Sequence, residues 1–207
     1  MRIFLLSATF FSLGTSNVLA HHPWEGAALT HWHQGLLSGF AHPVLGLDHL
    51  AFLAAVAFFC AMCFRSKKTL LAFIPATIAG VFAHLFLSGR GFEIPFYETV
   101  VAVSVALAGF AIFTGAVSKA FATALCAVFG LFHGYAYGGG IVGSEVSPLV
   151  FYLIGLAVVQ TALVVAMAFL FPKLSGFFRI PRAGFSKITG FILFAAGAVI
   201  SITSTSL

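Results

Sequence analysis

The stretch LVFYLIGLAVVQTALVVAMAFLF, residues 149–171, decides the fold. It contains no charged residue, and a helix needs about 20 apolar residues to cross the hydrocarbon core of a bilayer. Working outward in both directions, the same kind of run recurs at 43–63, 70–88, 98–117, 120–138 and 188–205. The whole chain carries that bias. Of its 207 residues 61% are hydrophobic and 7% are charged, against about 25% charged in a soluble domain. So few charges cannot cover a globular surface in water, so lipid must be the solvent for most of it. The 21 glycines and 26 phenylalanines suit helices that pack closely in lipid. The expected fold is an all-α polytopic membrane bundle of about six transmembrane helices. A net charge of +5 is then no nucleic-acid signal, because in a membrane protein the placement of positive residues matters more than their sum.

The first twenty residues read as a signal peptide: Arg2, an apolar core from Ile3 to Leu13, and small residues at Val18 and Ala20. Cleavage after Ala20 leaves 21–42 as an exterior segment with a short or interfacial helix, and 43–207 as the transmembrane domain. Gly35 and Gly39 give that short helix a small-xxx-small docking face. Once Arg2 has left with the signal, Arg65, Lys67, Lys68, Lys119, Lys173, Arg179, Arg182 and Lys187 fall in loops on one side, and only Arg90 falls on the other. Cytoplasmic loops carry the excess of Lys and Arg. The expected location is therefore the inner (cytoplasmic) membrane, multi-pass, with both mature termini on the exterior or periplasmic side. Three spans followed by three would set the two halves in opposite orientations, as in transporters built from inverted repeats, but the halves show no overt sequence match. There is no Walker-type phosphate loop and no dinucleotide fingerprint.

The polar residues gather on the exterior side. His42, Asp48 and His49 lie in the outer half of the first span, His84 near the outer end of the second, Glu98 at the start of the third, and His133 in the outer part of the fourth with Tyr137 one turn on. Ionisable groups at membrane depth are expensive, face the bundle interior and mark pathways. Imidazole suits Ni, Co, Cu and Zn, and a carboxylate adds charge neutralisation. A shared divalent cation would offset the cost of burying all of these groups. His42 and His49 are seven residues apart and share a face of a regular helix, as do His133 and Tyr137 at i and i+4. Asp48 is a candidate ligand or an acceptor that orients an imidazole, and Tyr137 is expected just outside the ligands. Outside the bundle, His21, His22, His31 and His33 are candidates for metal capture. Cys60 and Cys63 form a CxxC at the inner end of a span, read as small packing residues or as a hand-off point; with Cys126 they build no disulfide framework.

HPVLGLDH at 42–49 resembles the HPxxGxDH signature of the HupE/UreJ family. FHGYAYG at 132–138 is similar to its FHGxAHG segment, and Glu98 in IPFYE at 94–98 to a glutamate that opens the third span. The likeness covers essentially the whole chain. It implies a permease rather than an enzyme: secondary uptake of Ni2+ or Co2+ as cargo, with no resident cofactor. His42, Asp48 and His49 would stand in the metal path, with His133 and Glu98 as participants. Two departures leave the choice of metal open. The family has a methionine where this chain has Leu53, and a histidine where it has Tyr137. The partners implied are a divalent metal ion and the lipid bilayer, with no nucleic acid; homo-oligomerisation is left open. Two other readings compete. One is a metal-binding accessory or sensor protein without transport. The other is an intramembrane zinc hydrolase, for which no HExxH is present.

Overall fold

A computed structural model describes residues 28–204. The signal segment and the His21–His22 pair lie outside the described residues. Within them the chain is helical: α1 Trp32–Leu45, α2 Leu47–Phe58 with a π-helical end Phe59–Cys63, α3 Lys68–Ser88, α4 Tyr97–Thr114, α5 Lys119–Gly139, α6 Val146–Phe177 and α7 Arg182–Ser204. α3 to α7 are each long and apolar enough to cross a membrane, and α1 with α2 is apolar enough to do so as a pair bent by 78°. The protein is a polytopic helical membrane bundle.

Two breaks fall elsewhere than the sequence suggested. α1 does not end at the His42–Pro43 step; it runs through Pro43 and stops at Gly46, which closes α1 and opens α2. The Gly46 N–H donates to the His42 carbonyl (3.1 Å), and the Gly46 carbonyl accepts from Leu50 N–H (2.9 Å). One residue thus satisfies an orphan group of each helix end. α6 likewise continues through Pro172 to Phe177, since a transmembrane helix tolerates proline where neighbours satisfy the freed carbonyl. Arg182 and Lys187 therefore sit in the first turns of α7, not in a long basic loop. Arg182 Nη2 donates to the Ala61 carbonyl at the π-helical end of α2 (3.2 Å).

Three helix pairs dominate the packing: α1 with α6, α3 with α5, and α4 with α7. Each is a backbone-to-backbone contact through glycine. A Cβ on Gly39 would strike the Tyr152 carbonyl, one on Gly134 the Thr77 carbonyl, and one on Gly109 the Phe194 amide. Lipid provides no hydrophobic drive between helices, so close approach and dispersion must hold them. The Gly35–Gly39 face docks as expected, on Pro148 and Tyr152 of α6.

The three pairs enclose α2. Phe52, Leu53, Ala55, Val56, Ala57 and Phe58 are all fully buried, so the inner half of this helix has no lipid-facing side, while Leu47 at its start is exposed. It touches α3, α4, α6 and α7. The other helices turn large apolar side chains outward, among them Phe86, Phe110, Phe169 and Phe191. On the α5–α6 side, residues 28–30 form a strap. Leu29 N–H donates to Ser144 Oγ (3.0 Å), and Glu145 N–H donates to the Leu29 carbonyl (3.0 Å).

Candidate metal centre

The site forms where α1 breaks into α2 beside α5. His42 occupies the last turn of α1, one residue before Pro43. Gly46 has ordinary backbone angles (φ −77°, ψ 108°), so its lack of a side chain matters for space. A Cβ there would lie 2.5 Å from His49 Cδ2 and 3.2 Å from Asp48 Oδ1. The glycine lets the His49 ring fold back against the break. Asp48 Oδ1 accepts from the His49 backbone N–H at 2.7 Å, which satisfies an orphan donor of α2 and suits the positive helix end.

His42, His49 and His133 are buried and adjoin one another. The His42 and His49 ring centroids are 5.7 Å apart and those of His49 and His133 4.9 Å. Tyr137 wedges between the first two, 5.0 Å from His42 and 4.2 Å from His49, and Phe52 stacks on His133 at 4.4 Å.

The hydrogen bonds fix the tautomers. Ser104 has one hydroxyl proton and donates it to the Val101 carbonyl at 2.6 Å. Its oxygen therefore accepts from His133 Nε2–H at 2.9 Å. A neutral His133 then has a bare Nδ1, which accepts from His49 Nδ1–H at 2.8 Å. The His49 lone pair is left at Nε2. The same logic applies to His42. Tyr152 donates its hydroxyl proton to the Tyr137 carbonyl (2.8 Å), so it accepts from His42 Nδ1–H (3.1 Å), and the His42 lone pair is also at Nε2. Two imidazoles thus donate through Nδ1 and carry their lone pair at Nε2, the arrangement that orients metal-binding histidines. Their 5.7 Å separation suits two rings sharing one ion at roughly 2.1 Å from each nitrogen.

The predicted cluster divides. His84, also buried, packs on Tyr135 (4.4 Å) and Tyr97 (6.2 Å), on a different face of α5 from His133 and Tyr137. Glu98 is exposed in the first turn of α4. Among the described residues no three His, Cys, Asp or Glu side chains stand ready-made around one ion position. What is assembled is a two-nitrogen site backed by His133. His31 and His33 are exposed with rings 5.5 Å apart, and Cys60, Cys63 and Cys126 are free thiols. Sequence reasoning missed Tyr152, Ser104, Thr77 and Gln160. All four are fully buried polar side chains in apolar helices, and that isolation was the one signal available.

No curated protein and no solved structure matches the chain significantly. A family model described as "HupE / UreJ protein" matches residues 9–200. That family is associated with nickel or cobalt uptake or with accessory roles. The match covers its spans and its HPVLGLDH and FHGYAYG segments, and the chain belongs to the HupE/UreJ family.

Proposed function

We propose that this protein is a permease that takes up Ni2+ or Co2+ as cargo across the cytoplasmic membrane, with both mature termini outside. The observation that carries the reading is the buried His42–His49 pair, each imidazole held by a hydrogen bond at Nδ1 so that Nε2 points its lone pair away from that bond. Metal would be gathered at the exposed His31 and His33, lose water at His42 and His49, and pass with Asp48 and His133 as supporting groups. The outlying His84 and Glu98 would act nearer the surface. Having only two strong nitrogen donors favours transport, because conduction requires binding weak enough to release.

The test is metal flux into proteoliposomes, Ni2+ against Co2+, for the parent and for His49→Ala. Saturable flux in the parent and a loss of at least about tenfold in the variant, at unchanged helix content, is expected. Saturable binding without flux in the parent would favour the accessory or sensor reading instead.

Orientation is tested separately. In intact cells, and in a background without native cysteines, Arg90→Cys is expected to react with a membrane-impermeant thiol reagent and Arg179→Cys only after permeabilisation. The reverse pattern would turn the topology over.

A further inference from the structure

The three glycine-mediated helix pairs are not independent. In α1 with α6, Gly35 meets Pro148, Gly39 meets Tyr152, and Gly155 meets Leu36. In α5 with α3, Gly130 meets Phe73, Gly134 meets Thr77, and Gly80 meets Leu131. The second set repeats the first residue for residue, once α1 is laid on α5 and α6 on α3. In both pairs the helices run parallel, because the contact positions rise together. The remaining pair maps onto itself. A Cβ on Gly109 would meet the Phe194 amide and, at 2.8 Å, the Gly190 carbonyl. One on Gly190 would meet the Phe113 amide and, at 2.7 Å, the Gly109 carbonyl. Here the positions run oppositely, so α4 and α7 are antiparallel.

These registers expose a likeness that plain inspection of the halves passes over. GLLSGFAH at 35–42 aligns with GLFHGYAY at 130–137, and GFAIF at 109–113 with GFILF at 190–194. α1 and α3 therefore correspond to α5 and α6, each partner running in the opposite direction, about a two-fold axis perpendicular to the helices, while α4 and α7 form a separate, self-matched antiparallel pair. α2 has no counterpart. Val81 and Leu156, which the register pairs, share one buried cluster. His42 pairs with Tyr137, and their rings are 5.0 Å apart. The axis thus passes through the histidine site.

The symmetry gives the outer hydrogen bond a counterpart. His42 and Tyr152 correspond to Tyr137 and Thr77. His42 bonds Tyr152 directly, at 3.1 Å. Threonine is too short to repeat that contact, and Gln160 fills the gap: Thr77 Oγ1, whose one proton goes to the Ile74 carbonyl at 2.8 Å, lies 3.0 Å from the Gln160 amide, and the far end of the amide adjoins Tyr137. Tyr137 and Gln160 are fully buried, yet Tyr137 Oη and Gln160 Nε2 complete no hydrogen bond. Orphaned polar atoms in a membrane interior are costly, and turning the amide over would offer its oxygen at the same point.

We infer that the chain is an inverted repeat and that Tyr137, Gln160 and Thr77 form a second, inner half-site for the divalent ion, the two-fold mate of the His42–Tyr152 half. This rests on the permease reading. The donors here are neutral oxygens, which hold Ni2+ or Co2+ less strongly than imidazole does. An ion crossing the axis from His42 and His49 would therefore pass from tighter to looser ligation, the gradient that release requires. Substrate sites at the repeat interface, near the bilayer midplane, are the rule for inverted-repeat transporters.

The test pairs proteoliposome flux with equilibrium Ni2+ and Co2+ binding for the parent, Gln160→Leu, Gln160→Glu and His49→Ala. Gln160→Leu is expected to lower flux at least tenfold while binding at the histidines changes less than twofold. Gln160→Glu, nearly isosteric, should tighten binding at least tenfold and slow flux, because a buried carboxylate holds the ion, and its fold is checked by helix content in the presence of metal. Parental flux and binding in both Gln160 variants, with His49→Ala inactive, would overturn the half-site and leave the permease standing. A parent that carries no metal would overturn both.

Discussion

Gly134→Ala is expected to destabilise the protein by about 3 kcal/mol or more, although alanine is the better helix former by about 1 kcal/mol. The added Cβ would overlap the Thr77 carbonyl oxygen and lie 2.7 Å from its carbon and 2.8 Å from its Cα. These are backbone atoms of a packed helix, so no rotamer change relieves the clash. α3 and α5 would have to separate along their whole contact, and the two faces would lose the dispersion that holds helices together in lipid. At roughly 2–4 °C per kcal/mol for a chain of this size, the unfolding temperature in detergent should fall by about 6–12 °C. Gly176→Ala is the control. Nothing lies within 4 Å of a Cβ there, and alanine should leave stability unchanged or raise it by up to about 1 kcal/mol. Equal unfolding temperatures for Gly134→Ala and the parent would refute the backbone contact.

The contrast between these glycines shows what could be read from the residues alone. Helix existence was legible, because an apolar run of the right length has one solution in a bilayer. The histidine site was largely legible too: an imidazole in an apolar run is conspicuous, and His42, His49 and His133 do meet. The bend was not, because Pro43 looks like a helix start and nothing in the sequence says that the turn waits for Gly46. His84 was grouped with the others because it shares their depth. Depth along a helix does not fix azimuth, and Tyr135 and Tyr137, two residues apart on α5, send their contacts to different faces.

The repeat stayed hidden for a related reason. Its likeness lies in the residues that face a neighbouring helix, while the lipid-facing residues between them need only be apolar and have drifted. The unmatched α2 also shifts the register between the first helices of each half and the later ones. Only the contacts supply the alignment. That α2 stands outside the repeat is informative, because it carries His49 and its inner half, from Ala55 to Phe58, is covered on every face. A two-fold frame made of α1, α3 and their mates α5 and α6 thus stands against one asymmetric helix, and the imidazole that links His42 to His133 is on that helix.

Gly46→Ala should separate function from fold more sharply than any other change. Its backbone angles are open to alanine, and the hydrogen bonds that close α1 and open α2 involve backbone atoms that alanine retains. The loss of stability should therefore be confined to the buried hydrogen bond that the side chain displaces, about 1–3 kcal/mol. The His49 ring cannot stay in place, since the new Cβ would sit 2.5 Å from Cδ2 and 3.3 Å from Cγ. Turning the ring away breaks the 2.8 Å bond to His133 Nδ1. It also releases the constraint that keeps the lone pair at Nε2, leaving His42 as the one oriented imidazole. Metal binding and flux should both fall by one to two orders of magnitude, the usual cost of losing an orienting partner, while helix content stays that of the parent. His49→Ala in the same assay sets the floor. If Gly46→Ala carried metal at the parental rate, the two-imidazole site at the α1–α2 break would be untenable, since that geometry needs a residue without a side chain at position 46.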